Sequence, residues 1–306
     1  MRMEFFALSN GNKIPKMGLG TDDVFFLHRL DCSSNYLIRK FQSLVYYRIK
    51  GPYWKKQFEN SVVKALKMGY RLIDTSAAYG NEREIGRAIN RSGVPRDEII
   101  ITTRVTNQQQ YRGQVREALM ESLHNLGVDY IDIYMFHWPV KGLFLDTWRE
   151  MEQLYEEGLV KNLGFANCHQ HHIEDILSIC KVRPVVNQIE IHPLFTQKPL
   201  IEYCKSVGIQ PEAYSPIAQN DDRMTRNRTL LAIGKKYNKS LQQVIIRWHI
   251  ENGVVPIPRS IHESRLASNL DVFDFSLTDE EIKAIDAINI NSRKRYDPDN
   301  CDFTLL

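Results

Sequence analysis

The chain has 306 residues, 43% of them hydrophobic and 25% charged, with a formal net charge of +3. That length supports a substantial core in one large domain or two ordinary ones, and the charge is too small to imply nucleic acid or an acidic membrane surface as the main partner. No apolar run approaches the roughly 18 residues of a membrane span, and the opening MRMEFFALSNGNKIP lacks an apolar signal core and a cleavage site. The five cysteines, Cys32, Cys168, Cys180, Cys204 and Cys301, are scattered and odd in number. They suggest neither a disulfide framework nor a zinc site, and a reduced cytoplasmic protein is the simplest reading.

Short β-rich runs alternate with helical runs along most of the chain. A weak first strand is expected over 17–21, then a helix over 55–68 with Phe58, Val62, Ala65 and Leu66 on one face. A strand over 71–76 leads into a helix over 81–90. The third strand, 99–105, precedes a long helix over 108–126. The fourth strand, 131–137, is followed by a helix over 146–157 that stops at Gly158. Strand, helix, strand and helix follow at 161–166, 172–180, 185–190 and 199–207. The seventh strand is 210–215. Ser240 and Gln243 have the spacing of a capping box, which announces a helix over 241–251. The eighth strand spans 254–260 and precedes a helix over 263–270. Thr278 and Glu281 form a second capping box and open a final helix.

Eight strands, each followed by a helix, with no linker and no shift in composition, point to one (β/α)8 TIM barrel over residues 1–306. A doubly wound sheet is the rival. It would open on G-x-G-x-x-G after the first strand, and that pattern is absent. One stretch breaks the rhythm: residues 22–54, far longer than the usual βα loop of about 2–6 residues. This insertion is aromatic and basic. It reads either as an extra amphipathic helix or, because loops after barrel strands face the active site, as a lid over the substrate cleft.

In such a barrel the reacting groups come from the C-terminal ends of the strands. Those ends supply Asp74 and nearby Tyr79, then Arg104, His137, Asn167, Gln188, Tyr214, Arg259 and Ser260. Each alone suits a structural polar group, whereas their joint placement points to one shared site. A phenol such as Tyr79 gives up a proton slowly at neutral pH unless a cation lies beside it. Arg104 offers that cation and Asp74 a carboxylate to hold it. The structural alternative is an Asp74–Arg104 pair that only joins two strands. His137 suits hydrogen bonding or proton transfer to a substrate oxygen. Arg265 and Asn269 are four apart and share a helix face. With Arg259 and Ser260 just before that helix, they make a good phosphate site. His169, His171 and His172 open a helix, where successive positions are not expected to face one ion, so no metal is expected.

Several segments together resemble the aldo-keto reductases, in their microbial, diketogluconate-reductase-like branch. They are Gly18-Leu-Gly-Thr21, Arg71 to Gly86 with Asp74 and Tyr79, Phe136-His-Trp-Pro139, Gly164-Phe-Ala-Asn167, Asn187-Gln-Ile-Glu-Ile-His-Pro193, Ala213-Tyr-Ser-Pro216 and Ile257-Pro-Arg-Ser260. The resemblance covers almost the whole chain outside the insertion. It implies catalytic positions at Asp74, Tyr79, His137 and the site of Arg104. It implies that Asn167 and Gln188 hold the nicotinamide carboxamide and that Tyr214 stacks on the nicotinamide ring. Gly20, Thr21, Asp22, Ser215 and Ile217 would lie along the cofactor. Arg259, Ser260, Arg265 and Asn269 would grip the adenosine phosphate of NADP(H).

The chain departs from the family pattern where Arg104 replaces the usual Lys, where Ala166 replaces Ser ahead of Asn167, and where Ser268 stands in place of a frequent Glu. Arginine keeps the charge but is bulkier and planar. The leading expectation is NADPH-dependent reduction of an aldehyde or ketone. The runner-up is an NADP(H)-binding barrel of impaired catalysis, acting as a sensor or interaction protein. A metal-dependent barrel hydrolase is a weaker third. Neither the particular carbonyl substrate nor the oligomeric state is legible in the sequence.

Overall fold

The computed structural model describes residues 3–22 and 51–305. A hairpin of β1 (Phe5–Ala7) and β2 (Lys13–Pro15) comes first. Its Leu8 and Ile14 are buried and share a cluster with Leu72, Ile133, Val186 and Val255 of the barrel strands. The hairpin escaped the sequence reading because each strand is only three residues long, too short to show a period.

Eight parallel strands follow in one sheet whose spatial order is the chain order: β3 (Leu19–Gly20), β4 (Leu72–Asp74), β5 (Ile100–Val105), β6 (Ile133–Phe136), β7 (Leu163–Ala166), β8 (Val186–Glu190), β9 (Gln210–Tyr214) and β10 (Val255–Pro256). The last strand returns to the first. Gly18 N–H donates to the carbonyl of Pro256 at 3.0 Å and Gly20 N–H to that of Pro258 at 3.3 Å, and Gly20 pairs with Arg259 in parallel. The sheet therefore curls into the barrel that was expected. Glycine is needed at this seam, since a Cβ on Gly20 would lie 2.5 Å from the Ile257 carbonyl oxygen. Pro256 and Pro258 have no N–H to donate, so this side of the seam is built from their carbonyls. The regular strand is accordingly shorter than the 254–260 expected.

The crossovers carry α1 (Gly51–Met68), α2 (Glu82–Ser92), α3 (Asn107–Tyr111), α4 (Val115–Leu126), α5 (Phe144–Glu156), α6 (Gln170–Ile179), α7 (Lys198–Ser206), α8 (Asp222–Thr225), α9 (Arg228–Tyr237), α10 (Leu241–Glu251) and α11 (Glu263–Leu270), with α12 (Asp279–Asp286) after them. The apolar stripe of α1 is buried as its spacing required, Phe58 at 5% exposure and Val62, Ala65 and Leu66 at 0%. Both capping boxes form, Ser240 with Gln243 and Thr278 with Glu281. The helix expected over 108–126 is two helices. Gly113, at φ 59°, turns the chain into the left-handed region between them. Helices α8 and α9 were not expected. The side chain of Asn227 caps α9 by accepting from the N–H groups of Thr229 and Leu230.

Residues 51–54 lie within helix α1 and not in the insertion. Residues 23–50 of the insertion, and with them the lid hypothesis, lie outside the described residues. Among the described residues no helix is long and apolar enough to cross a membrane.

Candidate functional site

The strand ends bring the expected side chains together. Asp74 is the last residue of β4. It is followed by Thr75, Ser76 and a short 3-10 turn, Ala77–Tyr79, that carries the phenol. Ser76 caps that turn by accepting from Ala78 N–H at 3.2 Å, and Gly80 closes it at φ 63°. Arg104, 1% exposed, comes up from β5. Its Nη1 donates to the Thr75 carbonyl at 2.8 Å and lies 3.3 Å from Tyr79 Oη. Its Nη2 pairs with Asp74 and donates to Gln188 Oε1 at 2.6 Å. His137, just past β6, packs edge-on to Tyr79 with ring centroids 6.0 Å apart, and its Nδ1 lies 3.5 Å from Ser76 Oγ. One guanidinium thus serves the carboxylate and the phenol through two different nitrogens of its planar fork.

The surroundings set the protonation states. Burial pushes the Tyr79 phenol above its ordinary range, and the opposing pull of Arg104 does not cancel it. Tyr79 therefore holds its proton. Desolvation, reinforced by the positive charges of Arg104 and Arg295, brings His137 down to about 3, so its imidazole is neutral near pH 7. Burial raises the Asp74 carboxyl against the lowering effect of Arg104 and Gln188. Burial works against the charge on Arg104, but Asp74, Tyr79 and Glu212 together more than offset it and keep the guanidinium charged.

The expected cofactor residues fall along the same face. Asn167 sits just past β7 in the left-handed region at φ 62°. Its amide donates to the His137 carbonyl at 2.9 Å and accepts from Tyr214 Oη at 2.8 Å. This bond fixes the partly exposed Tyr214 at the end of β9. Ser215 follows at φ 47°, and Ile217 is half-buried in the next turn. Gly20 and Thr21 stand at the seam. Thr21 is anchored to the Asp74 carbonyl through its N–H at 3.1 Å and its hydroxyl at 2.7 Å. Asp22 pairs with Arg295 at 3.3 Å. Arg259 and Ser260 are half-buried before α11, Arg265 is exposed on it, and Asn269 is buried. Among the described residues no side chain caps the N-terminus of α11, so its first N–H groups suit an anion beside those arginines. Gln188 departs from the simple picture. Its Nε2 donates to Asp74 at 2.8 Å and to Glu212 at 3.1 Å, while its Oε1 accepts from Arg104. The long guanidinium has drawn this amide into the ion-pair network.

Sequence reasoning missed two buried carboxylates. Glu212, 0% exposed on β9, shares Gln188 with Asp74, and its Oε2 has no hydrogen-bond partner among the described residues. Burial, then the charge of Asp74, pushes it up to about 8. Glu190, at the end of β8, accepts from His192 at 2.9 Å and from the N–H groups of Lys294 and Arg295 at 2.5 and 2.8 Å. Burial would raise this carboxyl, but those bonds hold it below its ordinary value. The i, i+2 pair Glu190 and His192, on one face of an extended run, was the only sequence signal. The histidines also behave differently from expectation. His169, His171 and His172 do converge, on the Asp299 carboxylate at 2.7, 3.1 and 3.6 Å, because the C-terminal segment returns across the start of α6.

Residues 47–290 match the model of the aldo/keto reductase family. Over 243 residues the chain is 45% identical to the glyoxal reductase of Bacillus subtilis, covering 79% of this chain and 87% of that one. The fold superposes with a TM-score of 0.84 on an aldo-keto reductase from a Medee basin deep-sea metagenome library, at 39% identity over 97% of this chain and 99% of that one. It superposes at 0.82 on a Bombyx mori aldo-keto reductase in complex with NADP, at 35% identity over 96% and 95% of the two chains. The chain belongs to the aldo/keto reductase family.

Proposed function

We propose that this chain, as one barrel domain, reduces an aldehyde or ketone to an alcohol with NADPH, and that Tyr79 is the proton donor. The observation that carries this reading is the Arg104–Tyr79 contact of 3.3 Å at the strand ends, beside a neutral His137. NADPH, when bound, supplies the hydride. Tyr79 gives its proton to the carbonyl oxygen as negative charge develops there, and Arg104 stabilises the phenolate left behind. His137 orients the carbonyl through an N–H. Asp74 and the Thr75 carbonyl hold Arg104 in place. Asn167 and Tyr214 form the wall expected for the nicotinamide, and Arg259, Arg265 and the uncapped start of α11 suit the adenosine phosphate. Gln188 supports the ion pair from within. The named relatives act in the same direction: one is called a glyoxal reductase and another was solved with NADP.

The commitment of Arg104 to Gln188 at 2.6 Å favours a second reading, an NADP(H)-binding barrel with impaired turnover. Following NADPH absorbance with a panel of aldehydes separates the two. Turnover that Tyr79→Phe abolishes supports the reductase. Tight NADPH binding with no turnover, restored by Arg104→Lys, supports the impaired barrel. Absence of NADPH binding sinks both.

A further inference from the structure

Three histidines at the start of α6 meet the C-terminal segment at one carboxylate. Asp299 Oδ2 lies 2.7 Å from His169 Nδ1, and Oδ1 lies 3.1 Å from His171 Nε2 and 3.6 Å from His172 Nε2. The rings of His171 and His172 are 3.9 Å apart between centroids. No step of the proposed reduction uses these groups.

The fold builds this meeting point from both sides. His169 stands just before the helix with extended backbone, at φ −81° and ψ 171°. His171 and His172 lie in the first turn of α6, where side chains lean back towards the helix start. Consecutive helix positions therefore reach one carboxylate after all. The buried His172 ring packs edge-on to Phe144, with centroids 5.5 Å apart. On the other side, Asp297 fixes the turn that presents Asp299. Its Oδ1 accepts from the N–H of Asp299 at 3.0 Å and its carbonyl from that of Asn300 at 3.1 Å. Phe303, packed on Trp138 with centroids 6.2 Å apart, holds the segment further along.

Hydrogen bonding sorts the histidines into two roles. Arg293 Nη2 lies 3.3 Å from His169 Nε2. A guanidinium can only donate, so Nε2 accepts and the His169 proton sits on Nδ1, where it is given to Asp299 Oδ2. The other carboxylate oxygen is left to His171 and His172. These three atoms all lie within 4.8 Å of one another. Tetrahedral zinc with bonds of about 2.0–2.2 Å places its ligand atoms about 3.3 Å apart. The distances of 3.1 and 3.6 Å from Oδ1 bracket that spacing.

We propose that His171 Nε2, His172 Nε2 and Asp299 Oδ1 bind a divalent transition metal ion of the zinc class, and that the ion fastens the C-terminal segment to the start of α6. Two imidazoles and a carboxylate suit zinc, whereas magnesium and calcium favour oxygen ligands throughout. His169 is a positioning residue that holds the carboxylate by its second oxygen. His171 and Asp299 are exposed, so water completes the coordination. Binding gives up one bond. The N–H of His169 donates to His172 Nδ1 at 3.2 Å, and a metal on Nε2 moves the His172 proton to Nδ1. A single neutral hydrogen bond is a small loss beside the bonds to the metal.

The test uses the full chain without an affinity tag, stripped with a chelator and titrated with Zn²⁺ or Mg²⁺ by calorimetry. The proteins are wild type, His171→Ala, Asp299→Ala and His169→Ala, each checked for folding by circular dichroism. One zinc per chain is expected, with no competition from magnesium. Binding should be lost in His171→Ala and Asp299→Ala, and weakened by about tenfold in His169→Ala. The thermal midpoint of the wild type should rise with zinc, and that of Asp299→Ala should not. Should Asp299→Ala fail to fold, the exposed His171 still gives the answer. A wild type that binds no zinc, or a zinc affinity within about threefold of wild type in His171→Ala, overturns the assignment. Cobalt substitution adds a check on the ligands: a thiolate charge-transfer band places the ion on cysteine and overturns it as well.

Discussion

Arg104 Nη1 lies 3.3 Å from the hydroxyl of Tyr79 while Nη2 of the same guanidinium pairs with Asp74. The phenol of Tyr79 and the carboxylate at the end of β4 are therefore joined through one side chain that is almost wholly buried. What each of the three contributes can be separated by substitution.

Tyr79→Phe removes the proposed proton donor and leaves its ring. Loss of a general acid lowers rates by about 10²- to 10⁴-fold. The expected outcome is that kcat falls in this range while the NADPH dissociation constant holds, measured by absorbance assay and fluorescence titration.

Arg104→Met leaves Asp74 buried with no cation beside it. Breaking a buried ion pair from one side costs about 3–5 kcal/mol. Arg104→Lys restores the charge but cannot span Thr75, Tyr79, Asp74 and Gln188 together. Denaturant unfolding is expected to rank stability as wild type, then Lys, then Met. A Met variant as stable as wild type refutes the role given to this pair.

Glu212 introduces a pH dependence of its own. Its folded-state value of about 8 lies above the ordinary carboxyl range, so between the two values the folded protein binds the extra proton. Its contribution to stability is present in full below the ordinary carboxyl range and is lost as pH rises towards about 8. Glu212→Gln keeps the shape and removes the titration. Stability measured from pH 5 to 9 is expected to fall less steeply in the variant than in the wild type.

His137 acts in the opposite direction on the acid side. Desolvation, helped by Arg104 and Arg295, holds it at about 3 in the folded protein against roughly 6.5 unfolded. The unfolded chain binds the extra proton between these values, so stability falls as pH drops from about 6.5. His249, brought down to about 3 by burial, adds to the same slope. His137→Gln is expected to reduce the loss of stability between pH 6.5 and 4. Because the imidazole stays neutral, turnover should show no ionisation of His137 near 6.5.

Gly20→Ala tests the seam. The added methyl would meet the Ile257 carbonyl at 2.5 Å, and backbone there cannot swing aside. Overpacking of this kind costs about 1–3 kcal/mol. Thermal unfolding is expected to show a lower midpoint. Because Thr21 and Asp22 follow Gly20, NADPH affinity should fall as well.

The sequence by itself determined the barrel and which side chains stand at the ends of its strands. Strand and helix alternation is a local signal, carried by side-chain period and caps such as Ser240 with Gln243 and Thr278 with Glu281, and these formed as read. Asp74, Tyr79, Arg104, His137, Asn167 and Tyr214 stood out because each follows or ends an apolar run, and the parallel sheet brings such ends to one face. The break at Gly113 and the hairpin of β1 and β2 were illegible, since a single left-handed residue or a three-residue strand leaves no period. Tertiary structure alone decided which partner each charge took. Gln188 went to Arg104, Asp74 and Glu212; Glu190 took the backbone of residues 294 and 295; and Arg295 met Asp22 from the far end of the chain. Those partners are separated by tens to hundreds of residues, and only barrel closure brings them within the few ångströms over which hydrogen bonds and ion pairs act.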